Sequence, residues 1–306
     1  MSPLLPVDPV PDMIELLGVR ARGHHGVLES EKREGQEFLV DVRMQLGTRA
    51  AARTDALGRT VNYAEVADAI VAEIRSESRD LVETVAAQIA ARILREQPLV
   101  RCVEVTLHKP SAPIPHPFED VRIRIVREAP AVDAVLAVGG NLGDRAAHLE
   151  RALMLLADEP GVEIAWTGPV LETDPVGGVP QAAFLNSVIG VRTVLGPWEL
   201  LELARAIEAD AHRRREVRWG PRTLDVDVIT YGDLVQDDPE LILPHPRAAE
   251  RAFVLAPWAA ARPAAVLPGH GGVQELLERA EDRHGLRPGA QVPGYGRTAP
   301  AGPDPA

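Results

Sequence analysis

The chain has 306 residues, 45% hydrophobic and 25% charged, which is ordinary globular composition and enough for two domains of roughly 150 residues. No apolar run approaches the ~20 residues of a membrane helix, the opening MSPLLPVDPVPDM lacks the regions of a secretory signal, and the lone Cys102 excludes an intrachain disulfide and a cysteine-cluster metal site. A soluble, cytoplasmic protein is expected, and a net charge of −12 argues against general nucleic-acid binding.

Residues 1–11 are Pro-rich and are expected to be disordered. Ile14–Arg22 reads as extended. Phe38, Val40, Val42, Met44 and Leu46 alternate with polar residues along one strand. Helical spacing follows at Tyr63–Glu77 and Leu81–Glu96, with Asp80 and Glu83 spaced as an N-cap and its partner. Cys102–Leu107 and Val121–Val126 alternate again, so residues 12–127 form a ββααββ domain of α+β class. Residues 128–132 read as a linker. The second domain, 133–285, opens with the strand Val132–Val138 and GGNLGD, followed by a helix over Arg145–Ala157. Extended segments at about 162–171 and 184–194 precede a helix that starts at Pro197, a favoured first-turn position. Thr223–Tyr231 reads as a strand and Val273–Arg283 as the last helix. Residues 286–306, rich in Pro and Gly, read as a disordered tail.

Of the 33 basic residues, only Lys32 and Lys109 are lysines. In a chain that otherwise uses Arg, a lysine either persists by chance or marks a site needing a compact, deprotonatable amine. Lys109 lies in one of four segments that stand out: HHGVLESEKREGQ at 24–36, TVNYAEV at 60–66, LVETVAAQIA at 81–90 and HKPSAPIPHPFEDV at 108–121. Each has a plain reading. Glu31 sits in a charged run typical of a solvated loop, Tyr63 fits a helix-start packing residue, Glu83 fits a cap and Lys109 an exposed strand end. His24 and His25 read as structural, since no third ligand lies at metal-site spacing.

Taken together, and in this order, the four segments resemble dihydroneopterin aldolase over residues 12–127. That resemblance implies the tunnelling fold, joined through the sheets into a homo-oligomer (a tetramer or octamer) with active sites between subunits. It also implies that Glu83 binds the pterin's amino-pyrimidine edge beside Val61 and Val82, that Tyr63 packs on or protonates substrate, and that Glu31 and Lys109 form the acid–base machinery. A retro-aldol cleavage suits these groups. The pterin ring is itself an electron sink, so no cofactor is expected, and a lysine can shuttle a proton where an arginine cannot.

The second half carries RWGPRTLDVDV at 218–228. On a strand, Asp225 and Asp227 share a face, ~7 Å apart, with Leu224, Val226 and Val228 on the other. Such a pair can hold hard cations, and Arg213, Arg215, Arg218 and Arg222 nearby supply what polyphosphate transfer demands. The Arg cluster by itself reads as a solvated helix end, and a G-x-x-x-x-GK[ST] phosphate loop is absent. With GNLGD at 140–144, ETDPVG at 172–177, FLN at 184–186 and PHPRAAERAFVLAPW at 244–258, residues 133–283 resemble the 6-hydroxymethyl-7,8-dihydropterin pyrophosphokinase family, whose fold is ferredoxin-like. The resemblance implies a pterin near Thr173, Val176, Phe184, Asn186, Trp219 and Phe253. It implies ATP near Glu208, Arg213, Arg215, Arg218, His245 and Arg251, and two Mg²⁺ on Asp225 and Asp227, with Arg213 and Arg222 assisting catalysis. Two departures stand out. Gly140 replaces the usual serine, which is expected to loosen the turn, and an extra Arg214 leaves the register of Arg213 open by one residue.

The expected protein is thus a bifunctional enzyme that releases glycolaldehyde from 7,8-dihydroneopterin and then transfers diphosphate from ATP to the product. Its partners are small pterins and ATP, with no nucleic acid or membrane. The rivals are a pyrophosphokinase carried on a non-catalytic aldolase-like scaffold, and a first domain that mainly epimerises a related pterin.

Overall fold

The structure, a computed structural model, describes residues 12–175, 181–211 and 221–297. The expectations for residues 1–11 and for the tail beyond 297 lie outside the described residues. The chain divides at Pro130–Ala131 into two compact units.

The first unit runs β1 (Met13–Gly23), α1 (Glu29–Glu34), β2 (Gln36–Gln45), α2 (Arg49–Thr54), α3 (Tyr63–Ile74), α4 (Val82–Glu96), β3 (Cys102–His108) and β4 (Arg122–Glu128). The strands form one antiparallel sheet in sequence order β1-β2-β3-β4. The alternation seen along β2 has its physical cause here. Phe38, Val40, Val42 and Met44 are buried with Val103, Val105 and Leu107 of β3 against Ile70 and Ile74 of α3 and Ile89 and Ile93 of α4, each burial stabilising by roughly 1.5–3 kcal/mol. The other face is polar. Arg43 of β2 bridges Glu15 of β1 and Glu104 of β3, which also pairs with Arg124 of β4. Two short helices, α1 and α2, were not legible in the sequence. The start of α4 also differs from expectation: Leu81 is its N-cap, and Asp80 instead pairs with Lys32 at 2.9 Å.

The second unit contains β5 (Val132–Gly140), α5 (Arg145–Asp158), β6 (Val162–Thr167), β7 (Leu171–Thr173), β8 (Phe184–Thr193), α6 (Pro197–Asp210) and β9 (Asp225–Tyr231). Two small hairpins follow, β10 (Gln236–Asp238) with β11 (Leu241–Leu243) and, after α7 (Ala252–Ala261), β12 (Val266–Leu267) with β13 (Gly271–Gly272). The unit ends with α8 (Val273–Arg279) and β14 (Leu286–Pro288). Its main sheet is ordered β14-β7-β8-β5-β9, and β6 also lies along β8. Every pairing is antiparallel. Asp144 caps α5 by accepting from Ala147 N–H (3.0 Å), and Glu199 accepts from Gly196 N–H (2.6 Å) to start α6 behind Pro197. Val135, Val188, Trp166 and Ile229 pack beneath Leu255 and Trp258 of α7.

Two boundaries are corrected. The last helix stops at Arg279, not 283, because Ala280 turns to extended geometry. Residues 286–297 are not a loose tail: β14 pairs with β7 and the Tyr295 hydroxyl donates to Leu149 O at 2.9 Å. Among the described residues, no helix is long and apolar enough to cross a membrane.

Candidate active sites

In the first unit, Glu31 and Lys109 meet although 78 positions separate them, their Oε1 and Nζ atoms lying 2.5 Å apart. Both residues are only 8% exposed, so the solvated-loop and exposed-strand-end readings fail. Lys109 follows the last residue of β3, where its N–H donates to Val121 O (2.7 Å). Glu31 belongs to α1 and accepts from Leu28 N–H (3.1 Å) and from Gln36 Nε2 (3.1 Å). Burial pushes the Glu31 carboxyl up. The Lys109 ammonium, the Leu28 N–H and the Gln36 amide together outweigh it and hold the group below its ordinary value. Glu31 is therefore a fixed anion beside a buried amine.

Gln36, at the end of the first segment, escaped the reading of individual residues; its signal was only its place in the GQ pair. Gly26 explains the other end of that segment. It adopts φ +147°, and a Cβ there would stand 2.3 Å from the Glu31 carboxyl. Substituting Gly26→Ala is therefore expected to displace Glu31, to lower stability by ~1–3 kcal/mol and to slow by ~10-fold or more whatever proton transfer the Glu31–Lys109 pair performs. Thermal unfolding and the rate of the reaction that the sequence resemblance implies check it, and an unchanged rate would show that Glu31 tolerates displacement.

His25 is structural, as expected. One ring nitrogen contacts Ile74 O (2.8 Å) and the other accepts from Arg79 N–H (3.1 Å), and burial lowers its basicity. Val61 is 1% exposed within the core, and Val82 is half-buried at the start of α4. Tyr63 and Glu83 open α3 and α4 and are exposed, Tyr63 by 61%. Among the described residues, no hydrogen bond or ion pair joins either of them to Glu31 or Lys109.

In the second unit a cavity of about 650 Å³ is lined by Thr173, Phe184, Asn186, Arg222, Asp225, Asp227, Arg251 and Phe253. The strand alternation places Asp225 and Asp227 toward it, while Val226 and Val228 are buried behind. Arg222 contacts Asp225 and lies 5.8 Å from the centre of the Phe184 ring. Arg251 reaches within 4.0 Å of Asp227 and lies 5.3 Å from the centre of the Phe253 ring. Burial, then Arg247, lower the basicity of Arg251 despite the two aspartates. The wall is thus a row of carboxylates with guanidinium groups beside them, flanked by two aromatic rings.

Glu208 and His245 are not among the lining residues. Glu208 accepts from Val226 N–H (2.9 Å), which ties α6 to the strand between the two aspartates. Burial, then Arg251, push the His245 imidazole down to about 4, so it is neutral at pH 7. Val176, Arg213, Arg215, Arg218 and Trp219, and the register at Arg214, lie outside the described residues. Arg247, Arg279 and Asp282 line the cavity without having been singled out; the last two come from the far end of the chain, and no local pattern marks them.

Gly140 does not loosen its turn. A Cβ there would stand 2.1 Å from Thr223 O, because Asn141 N–H and Leu142 N–H both bond Arg222 O (2.9 and 3.1 Å) and draw the two backbones together. Asn141 Oδ1 accepts from Arg222 N–H (2.8 Å) in the same joint.

Among the described residues, no cluster of three or more His, Cys, Asp or Glu is placed to hold a metal. The paired aspartates nevertheless fit Mg²⁺. It prefers hard oxygen ligands and retains water, and it is commonly held by one or two carboxylates together with substrate phosphates.

Residues 14–126 match the family model for dihydroneopterin aldolase, and residues 135–263 match that for 7,8-dihydro-6-hydroxymethylpterin-pyrophosphokinase. The chain is 48% identical over 116 residues to the dihydroneopterin aldolase of Streptomyces coelicolor, covering 38% of this chain and 97% of that protein. It is 47% identical over 126 residues to the 2-amino-4-hydroxy-6-hydroxymethyldihydropteridine pyrophosphokinase of Bacillus subtilis, covering 41% of this chain and 75% of that protein. The bifunctional protein FolKE of Lactococcus lactis is 42% identical over 122 residues, 40% of this chain but only 35% of that protein. With a buried Glu31–Lys109 pair in one unit and an Asp–Arg cavity in the other, the chain belongs to both matched families and is a bifunctional aldolase–pyrophosphokinase of folate biosynthesis.

Proposed function

We propose that the first unit cleaves 7,8-dihydroneopterin without a cofactor, and that the second, using ATP and two Mg²⁺, transfers diphosphate to the 6-hydroxymethyl-7,8-dihydropterin that results. In the first reaction the side-chain hydroxyl loses its proton, the adjacent carbon–carbon bond breaks and glycolaldehyde departs. The electron pair left on the remaining carbon is delocalised into the pterin ring until that carbon takes up a proton. Lys109 moves protons between these positions while Glu31 holds its amine in place, Tyr63 packs on or protonates substrate, and Glu83 binds the amino-pyrimidine edge beside Val61 and Val82.

The observation that carries this reading is the buried Glu31–Lys109 pair. A buried ion pair is costly to desolvate and weak evidence for stability, which speaks for a working aldolase site rather than a scaffold. Tyr63 and Glu83 are exposed, and among the described residues β1 and β4 are sheet edges with one neighbouring strand each. Such edges are liabilities unless covered. A homo-oligomer built through this unit, a tetramer or octamer, would cover them and complete the site between subunits.

In the second reaction the hydroxymethyl oxygen attacks the β-phosphorus of ATP and AMP leaves. Asp225 and Asp227 would hold Mg²⁺, which when bound withdraws charge from the phosphates. Arg222 and Arg251, with Arg213, Arg215 and Arg218, balance charge developing on the phosphate oxygens. The pterin would lie against Thr173, Phe184, Asn186 and Phe253, with Val176 and Trp219.

The test follows glycolaldehyde from dihydroneopterin, then AMP once ATP and Mg²⁺ are added. EDTA is expected to abolish AMP formation and to spare glycolaldehyde release. Inhibition of both reactions would overturn the cofactor-free first step. A protein that forms AMP but never glycolaldehyde would be a kinase on a scaffold.

A further inference from the structure

Residues 264–297 lie beyond the stretch matched to the pyrophosphokinase model; Leu276 and the run from Arg279 to Asp282 line its cavity, and the residues after them brace its wall from behind. Strand β14 adds to the open edge of β7, Leu286 opposite Thr173, Arg287 opposite Glu172 and Pro288 opposite Leu171. The chain then follows the β6–β7 connection. Gly289 N–H donates to Val170 O (3.0 Å), Gly296 N–H to Gly168 O (3.0 Å), and Arg297 O accepts from Thr167 N–H (2.9 Å). Tyr295, its hydroxyl buried on Leu149 O, anchors the far end.

Arg287 holds the centre of this strap. Its guanidinium donates to both carboxylate oxygens of Asp174 (2.7 and 3.1 Å) and lies 3.7 Å from Glu172. Arg145 holds Glu172 from α5 at 3.3 Å. Thr173 therefore sits between two clamped carboxylates, and its hydroxyl accepts from Asn186 Nδ2 (2.7 Å). Thr173, Asp174 and Asn186 all line the cavity. A two-pronged Arg–carboxylate contact fixes angle as well as distance, which a single point charge does not.

We infer that Arg287 is a positioning residue of the pyrophosphokinase: without touching substrate, it fixes the Thr173–Asn186 wall against which the pterin binds. The inference rests on the reading of that wall as the pterin subsite. Because the pair is half exposed, a modest effect is expected, about fivefold.

The experiment uses the full chain with Arg287→Ala, Arg287→Lys and Asn186→Ala, and measures kcat and KM for 6-hydroxymethyl-7,8-dihydropterin and for ATP separately. Arg287→Ala is expected to raise the pterin KM about fivefold while kcat and the ATP KM stay within about twofold, a smaller change than the loss of one such ion pair. Arg287→Lys is expected to recover part of the loss. In ~1 M salt, where the Debye length is ~3 Å, the wild-type and Arg287→Ala values should converge, since the pterin is neutral and the clamp is not. A normal pterin KM in Arg287→Ala, with a raised one in Asn186→Ala, overturns the role of Arg287 alone. Normal values in both overturn the reading of the wall and the inference with it. A lowered melting temperature and kcat without a KM split would make β14 a stabilising edge strand only, and would also overturn it.

Discussion

Substituting Asp225→Asn or Asp227→Asn is expected to lower AMP formation by roughly 10²- to 10³-fold, matching the several kcal/mol of charge stabilisation that a metal supplies to a transferring phosphoryl group. The fold should survive. Both side chains line the cavity, while the burial that holds β9 comes from Val226, Val228 and Ile229. The loss should appear in kcat and in the Mg²⁺ concentration needed for half-maximal rate more than in the KM for ATP. Removing one carboxylate charge leaves Arg222 or Arg251 with less to neutralise locally and so freer to meet phosphate. Glycolaldehyde release should be unaffected. Near-normal turnover in both variants would mean that the two aspartates are ordinary strand surface.

Lys109→Arg is expected to separate the two activities from the other side. Guanidinium keeps the positive charge and can still pair with Glu31, so no buried carboxylate is abandoned. It stays protonated at any working pH, however, and cannot carry a proton through the reaction. Aldolase turnover should fall by ~10²-fold or more, the usual scale for losing a general acid–base group, while the kinase, supplied directly with hydroxymethyl-dihydropterin, should run normally. The melting temperature is the necessary companion measurement, because Lys109 is buried and Arg is bulkier. An intact aldolase rate would reduce Lys109 to a fixed charge; loss of both rates would point to misfolding.

These two predictions differ in how far the sequence alone could have carried them. The aspartate face was legible because strand alternation is local: residues two apart share a side whatever the rest of the chain does. The same holds for the buried row Phe38, Val40, Val42 and Met44, and for the helix start at Pro197, whose preference for the first turn is local. Family resemblance, carried by whole segments, named Glu31 and Lys109 together. Spacing alone makes one a solvated loop and the other an exposed strand end.

What only the tertiary structure decided is whatever depends on a partner distant in the chain. The Glu31–Lys109 pair spans 78 positions, and the need for Gly26 follows from where that carboxylate ends up. From sequence Gly140 looks like a loosened turn because its neighbour, Thr223 O, comes from the distant segment that leads into β9. Residues 286–297 read as disordered because Pro and Gly discourage regular structure when no partner is assumed. An edge strand takes its hydrogen bonds from the strand beside it, however, and the open edge of β7 supplies them. Composition reports what a segment can do alone; whether its backbone groups find partners is set by which edge the fold leaves open.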